Sequence, residues 1–149
     1  MGSEREIVLV KNVVFQGGED KIADLKSLRG RPCLIIDETP SNIYMLPLST
    51  TPYKNPEFEQ YTSTIKKCAI HERTNYQIAD LSYVRLKELI KRDVYYFRPV
   101  GVLESGDYQR ILKKLLRYYQ QLKQNAINGQ FYQEIEQDLQ EQARILKLK

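Results

Sequence analysis

The sequence predicts an α+β fold, in which a small, curled, mostly antiparallel sheet carries helices packed on it. Three observations lead there. The apolar residues of the first half come in short β-branched or aromatic runs cut by Gly, Pro, Asn and Asp. Two of these runs, Cys33 to Ile36 and Ile43 to Leu48, are separated by a short turn, and antiparallel neighbours are the ones a short turn can join. From Tyr108 onward the apolar spacing changes to three and four, the period of a helix with one buried face.

Taken in order, Ile7 to Phe15 is β-branched and aromatic and predicts one or two short strands, closed by a turn at Gln16-Gly17-Gly18. Ile22, Leu25 and Leu28 fit a short helix or a loop with a single turn. Arg29-Gly30-Arg31-Pro32 breaks the chain ahead of Cys33-Leu34-Ile35-Ile36, an apolar run suited to a strand buried on both faces. Asp37 to Asn42, with Pro40, reads as a hairpin turn with Asp37 and Glu38 in solvent. Ile43 to Leu48 is the returning strand. Pro47 cannot donate to a ladder, which points to an edge or a bulge. Tyr61 to Ile70 reads as a strand and Asn75 to Ile78 as another short one. Val84, Leu86, Leu89 and Ile90 mark a short helix with Ser82 as its N-cap. Val94 to Leu103 reads as a strand interrupted by Pro99 and Gly101. Ser105-Gly106-Asp107 starts a helix whose stripe is Tyr108, Ile111, Leu112, Leu115, Leu116, Tyr119 and Leu122. Asn125 to Gly129 ends it. Phe131, Ile135, Leu139, Ala143 and Leu146 mark a last helix.

At 149 residues and 42% apolar content the chain has the size of one domain and can bury a core. No apolar run approaches the ~20 residues of a membrane helix. The N-terminus, Met-Gly-Ser-Glu-Arg-Glu, carries acids where a signal peptide needs an apolar segment, so a cytoplasmic location is expected. The two cysteines, Cys33 and Cys68, are too few for a disulfide framework, and Cys33 reads as a core residue. With one histidine and no Cys/His spacing, the sequence shows no metal-ligand pattern. The net charge of +4 is a modest basic excess, which favours a polyanion only where it is gathered on one face.

One stretch concentrates chemistry. Leu46 to Pro56 leaves the apolar run Ile43-Tyr44-Met45-Leu46 and turns into Ser49, Thr50 and Thr51, with Pro52 and Pro56 stiffening the chain around Tyr53 and Lys54. Hydroxyls donate and accept, and an ammonium offers three donors, so this loop suits a phosphate oxygen. If the two hairpin strands pair, Arg29 and Arg31 at the start of one lie at the same sheet edge as the hydroxyls at the end of the other. They can equally be solvated turn residues. The long helix carries Arg110, Lys113, Lys114 and Arg117, and no acid occurs from Tyr108 to Gln133. That favours a polyanion partner over self-neutralising pairs, with Tyr118 and Tyr119 able to stack on unpaired bases. Lys66, Lys67, His71 and Arg73 form a second basic cluster. His71 is the default general base by residue type, or an incidental loop residue beside Glu72.

Gly30-Arg31-Pro32-Cys33-Leu34-Ile35-Ile36, a turn, and Ile43-Tyr44-Met45-Leu46-Pro47-Leu48-Ser49-Thr50 together resemble the core of bacterial toxin ribonucleases with a MazF/PemK-type barrel. Pro47-Leu48-Ser49-Thr50-Thr51-Pro52-Tyr53-Lys54 is more similar to the type III toxin–antitoxin branch (ToxN, AbiQ, CptN and TenpN). Asp107-Tyr108 opening a long basic helix, followed by a last helix, resembles that branch too. The resemblance implies one toxin ribonuclease domain, with an SH3-like barrel over about residues 5–104 and a helical part over about 105–149. It implies an endoribonuclease held inactive by a small structured antitoxin RNA, in a higher-order protein–RNA assembly, with no cofactor and no membrane. The implied reaction needs no metal: the RNA 2′-hydroxyl attacks the adjacent phosphorus, leaving 2′,3′-cyclic phosphate and 5′-hydroxyl ends. Lys54 would stabilise charge on the phosphorane. Ser49 and Thr50 would hydrogen-bond the non-bridging oxygens or position the 2′-hydroxyl, and Thr51 would do the same or hold the loop. Arg31 would assist at the phosphate or serve the hairpin. RNA contacts would come from Arg29, Arg31, Tyr53, Lys66, Lys67, His71, Arg73, Arg110, Lys113, Lys114 and Arg117. Two other readings stay open: a MazF-like type II toxin inhibited by a protein, and a non-catalytic RNA-binding barrel.

Overall fold

The computed structural model describes residues 4–11, 30–52, 61–87, 89–93, 97 and 99–127, with side chains as far as residue 121. Arg29, Tyr53 and Lys54, the segment 12–28 and the last helix over 131–146 lie outside the described residues. The chain divides into two compact units, Met1–Tyr108 and Gln109–Lys149.

The first unit holds eight strands: β1 (Glu6–Val10), β2 (Arg31–Glu38), β3 (Asn42–Ser49), β4 (Thr62–Lys66), β5 (Ile70–Glu72), β6 (Leu81–Arg85), β7 (Ile90–Asp93) and β8 (Pro99–Leu103). They pair in the order β4-β6-β3-β2-β1-β8-β5, with β7 also on β3, and every pairing among them is antiparallel. With the helix that follows, this is an α+β fold. No ladder joins β4 to β5, so the sheet is open among the described residues. Its two ends are nevertheless successive pieces of one segment, bent at a 3-10 turn over Lys67–Ala69. The bend is held from both sides, by Lys67 N–H to the Asp80 carbonyl at 3.0 Å and Glu104 N–H to the Ala69 carbonyl at 2.9 Å.

The β2–β3 hairpin is the centre of the sheet. Cys33, Leu34, Ile35 and Ile36 are all at most 3% exposed, as an uninterrupted apolar run requires. Val8, Val10, Cys33, Ile35, Ile43 and Met45 form one core cluster, with Ile90 and Phe97 packed against it. The turn is tighter than the sequence suggests. Thr39 N–H donates to the Asn42 carbonyl at 2.8 Å, and Asn42 N–H donates back to Thr39 Oγ1 at 3.0 Å. Asp37 and Glu38 therefore belong to β2, and Asp37, paired with Tyr44, is buried rather than solvated. Ile36 is an extra residue between the pairs Ile35–Met45 and Asp37–Tyr44, a bulge in β2. Its carbonyl accepts the Tyr108 hydroxyl at 2.8 Å.

Pro47 sits in a central strand, not at an edge. On one side it pairs with Cys33. On the other, β7 covers Asn42 to Met45 and β6 covers Leu48 and Ser49, so neither ladder includes Pro47 and the absent N–H interrupts none there. The stretch read as a helix from Ser82 is instead β6, a turn at Leu86–Lys87, and β7. Pairing with β3 and β4 overrides a spacing that fits either period. Asn75 to Ile78 forms no strand. Pro99 opens β8 and Gly101 lies inside it.

Helix α1 (Ser105–Ile127) starts where the Ser-Gly-Asp signal places it. Tyr108, Ile111, Leu112, Leu115 and Tyr119 are its buried positions, while Leu116, expected on that stripe, is 42% exposed. No helix among the described residues is long and apolar enough to cross a membrane.

Candidate functional site

The register that pairs Cys33 with Pro47 carries Arg31 opposite Ser49 at the end of the hairpin. The Arg31 guanidinium donates from Nη1 to the Leu48 carbonyl at 3.0 Å and so lies against the last residues of β3. The preceding residue, Gly30, adopts φ +86°, and a Cβ there would fall 2.7 Å from the Val10 carbonyl carbon and oxygen. Only a glycine lets the chain enter β2 this close to β1.

The hydroxyl loop is folded on itself. Ser49 is buried, its Oγ lies 3.2 Å from Thr51 Oγ1, and it accepts the Thr51 N–H at 3.2 Å, a serine turn. Beneath the loop is Arg85 of β6, 1% exposed. The pairs Leu48–Val84 and Ser49–Tyr83 bring it there. Its Nη2 donates to the Thr51 carbonyl at 3.1 Å, and to Ser49 Oγ and the Pro52 carbonyl at 3.4 Å. One guanidinium nitrogen thus gathers three acceptors from residues 49–52 of the loop. The Ser49 oxygen accepts from a backbone N–H and from a cation.

Arg31, Ser49 and Thr50 line a cleft of about 290 Å³. Its sides are Gly30–Pro32, Leu48–Thr50 and Tyr76–Ala79, with Ile7 and Ser82 completing it. Among the described residues the lining holds a guanidinium, three hydroxyl side chains from Ser49, Thr50 and Ser82, a phenol and an amide, and no carboxylate. Such a lining favours an anion with an apolar or aromatic portion.

The second basic cluster is placed differently. Lys66 is exposed, and Lys67 lies 3.8 Å from Glu72. His71 Nε2 is 3.6 Å from Glu104, exposed, and not among the residues lining the cleft. Arg73 stands near Glu6, whose carboxyl is pushed above its ordinary range by burial, pulled back by the Arg73 charge and raised further by Glu38. Most of this cluster is therefore shared with acids, and its field on an anion is weaker than its residue types suggest. In the second unit Arg110, Lys113 and Arg117 are exposed on α1 and Lys114 is half-buried. Tyr119 is buried and unavailable for stacking on a base; burial lifts its hydroxyl pKa well above the ordinary value, with Tyr118 beside it adding to the shift.

Sequence reasoning missed Arg85, Tyr76, Gln77 and Ser82. The helical reading of its segment hides Arg85, although Ser82 and Val84 alternate as a strand does. The chain matches no protein-family model and no curated protein.

Proposed function

We propose that this chain is the metal-independent endoribonuclease toxin of a type III toxin–antitoxin system, built on an SH3-like barrel and inhibited by a small structured RNA. The observation that carries the reading is the cleft where Arg31, Ser49 and Thr50 meet, whose described lining offers a cation and hydroxyls together. The barrel is supported by a sheet whose first and last paired strands are consecutive pieces of one bent segment. In the proposed reaction the 2′-hydroxyl loses its proton as its oxygen attacks phosphorus in line, the bond to the 5′-oxygen breaks, and that oxygen takes up a proton, so that none is gained or lost overall. Ser49 hydrogen-bonds a non-bridging oxygen or positions the 2′-hydroxyl. Thr50 donates from the exposed end of the loop. Arg31 and Lys54 supply positive charge as negative charge builds up on the phosphorane.

The test is cleavage of single-stranded RNA by the purified chain in excess EDTA, with the product ends identified. Cyclic phosphate and 5′-hydroxyl ends are expected. Ser49→Ala and Lys54→Ala are each expected to lower the rate by ~10²–10³, with the melting temperature preserved for Lys54→Ala. Absence of cleavage by the unaltered chain, or a Lys54→Ala variant as active as it, overturns the assignment. RNA that co-purifies supports the type III class, whereas a small acidic protein in its place would make this a type II toxin.

A further inference from the structure

We propose that Tyr76 and Gln77 form a base subsite, holding one unpaired nucleobase beside the phosphate gripped by Arg31, Ser49 and Thr50. This rests on the function proposed above and names what the far side of the same cleft recognises.

Tyr76 to Ala79 is a wall of the cleft that belongs to no strand. It is nevertheless held at both ends. Arg73 N–H donates to the Val100 carbonyl at 2.9 Å, and the Asp80 carbonyl accepts Lys67 N–H at 3.0 Å. Inside it, Tyr76 N–H donates to Thr74 Oγ1 at 3.2 Å. A pinned wall outside the ladders can present side chains to a ligand without deforming the sheet. Tyr76 is half-buried and Gln77 exposed. Ile7, Leu48 and Ile78, all buried, add aliphatic surface to the lining.

The lining is therefore divided by chemistry according to segment. Arg31, Ser49 and Thr50 come from the hairpin and the loop that leaves it, a phenol ring and a primary amide from the 76–79 wall, and aliphatic side chains from both. A nucleotide has the same division: a charged phosphate, an apolar base face and a polar base edge. At about 290 Å³ the volume is near the ~300 Å³ lower end of small-molecule sites, so it takes one nucleotide-sized group and no duplex. A base enters only when it is unstacked and unpaired. Tyr76 offers a ring for its face, and the Gln77 amide offers a donor and an acceptor for its edge.

The experiment uses the full chain with two labelled RNA sets, cleavable oligomers that vary in one base and 2′-O-methyl oligomers that bind but cannot react. Tyr76→Ala is expected to raise KM about tenfold with kcat little changed, and to weaken 2′-O-methyl oligomer binding by the same factor. Tyr76→Leu, which keeps apolar volume without a π face, is expected to share that loss, and Tyr76→Phe to restore binding. Gln77→Ala is expected to change which base is preferred at the cut. If the unaltered chain cleaves and Tyr76→Leu and Gln77→Ala match it in KM and base preference, the subsite is overturned and the nuclease reading stands. If oligomers bind with the Tyr76 dependence but none is cut, the subsite stands and the nuclease reading fails. No binding and no cleavage overturns both.

Discussion

Tyr108 shows how one side chain repairs a local irregularity. The β2 bulge leaves Ile36 without a partner on β3, and its carbonyl accepts the Tyr108 hydroxyl at 2.8 Å in a buried setting. Burial, then the nearby charges of Glu4 and Asp37, push that hydroxyl well above its ordinary pKa against the pull of Arg5, which favours the protonated, donating form. Tyr108→Phe keeps the ring and removes only the donor. We expect it to lower stability by about 1–3 kcal/mol, because a buried acceptor is then left without its donor. Urea unfolding followed by far-UV circular dichroism measures this, and a midpoint equal to that of the unaltered chain would mean that water replaces the hydroxyl.

The strand entries and exits explain which elements could be read from residue order. Cys33 to Ile36 is legible because a run with no polar residue has one simple solution, burial on both faces, and the hairpin partner follows within a short turn. The start of α1 is legible from its Ser-Gly-Asp signal and the stripe behind it. Residues 82–90 are not, since Val84, Leu86, Leu89 and Ile90 satisfy a helical spacing nearly as well as a strand. Pairing with β3 and β4 decides the matter, and those strands lie about 35 and about 20 positions away, which local spacing does not encode. The hydroxyl loop and Arg31 are readable as a unit through the antiparallel hairpin. Arg85 reaches the loop only through those distant pairings, and the Tyr76–Ala79 wall is held by backbone bonds of its flanking residues to Val100 and Lys67.

Two glycines at element boundaries stand in opposite surroundings. Gly30 precedes β2 with φ +86° and the Val10 backbone at 2.7 Å from any added Cβ, whereas a Cβ at Gly106, in the first turn of α1, meets nothing within 4 Å. Gly30→Ala should cost ~2 kcal/mol or more, from positive φ and overlap together. Gly106→Ala should gain up to ~1 kcal/mol by restricting the unfolded chain. Denaturation midpoints of the two variants should therefore move in opposite directions, and a shared direction would count against the backbone geometry at Gly30.

Across the molecule, the basic clusters differ in whether acids stand beside them. In the first unit Lys67, His71 and Arg73 each have an acid nearby. In the second, the described part of α1 carries Arg110, Lys113, Lys114 and Arg117 and no acid after Asp107. Under the proposed function this face grips RNA through its phosphates, independent of base sequence. Replacing Lys113, Lys114 and Arg117 with Glu should weaken RNA binding and reduce the slope of log K against log salt by about 2–3, roughly 0.7–0.9 for each phosphate no longer neutralised. Titrations at several salt concentrations read this directly, and an unchanged slope would remove α1 from the RNA-binding surface.

The glycine ahead of β2 has one more implication, for how such a molecule diverges. On that side the cleft is bounded by main chain pressed on main chain, by a guanidinium tied to a carbonyl and by a serine out of solvent, so almost every replacement there disturbs the sheet. Facing it is a pinned but unpaired stretch whose Gln77 reaches into water. Replacements on that second bank disturb no ladder. Under the proposed function, a lineage of such chains is then expected to drift in what it recognises while what it does to the backbone of its ligand stays fixed.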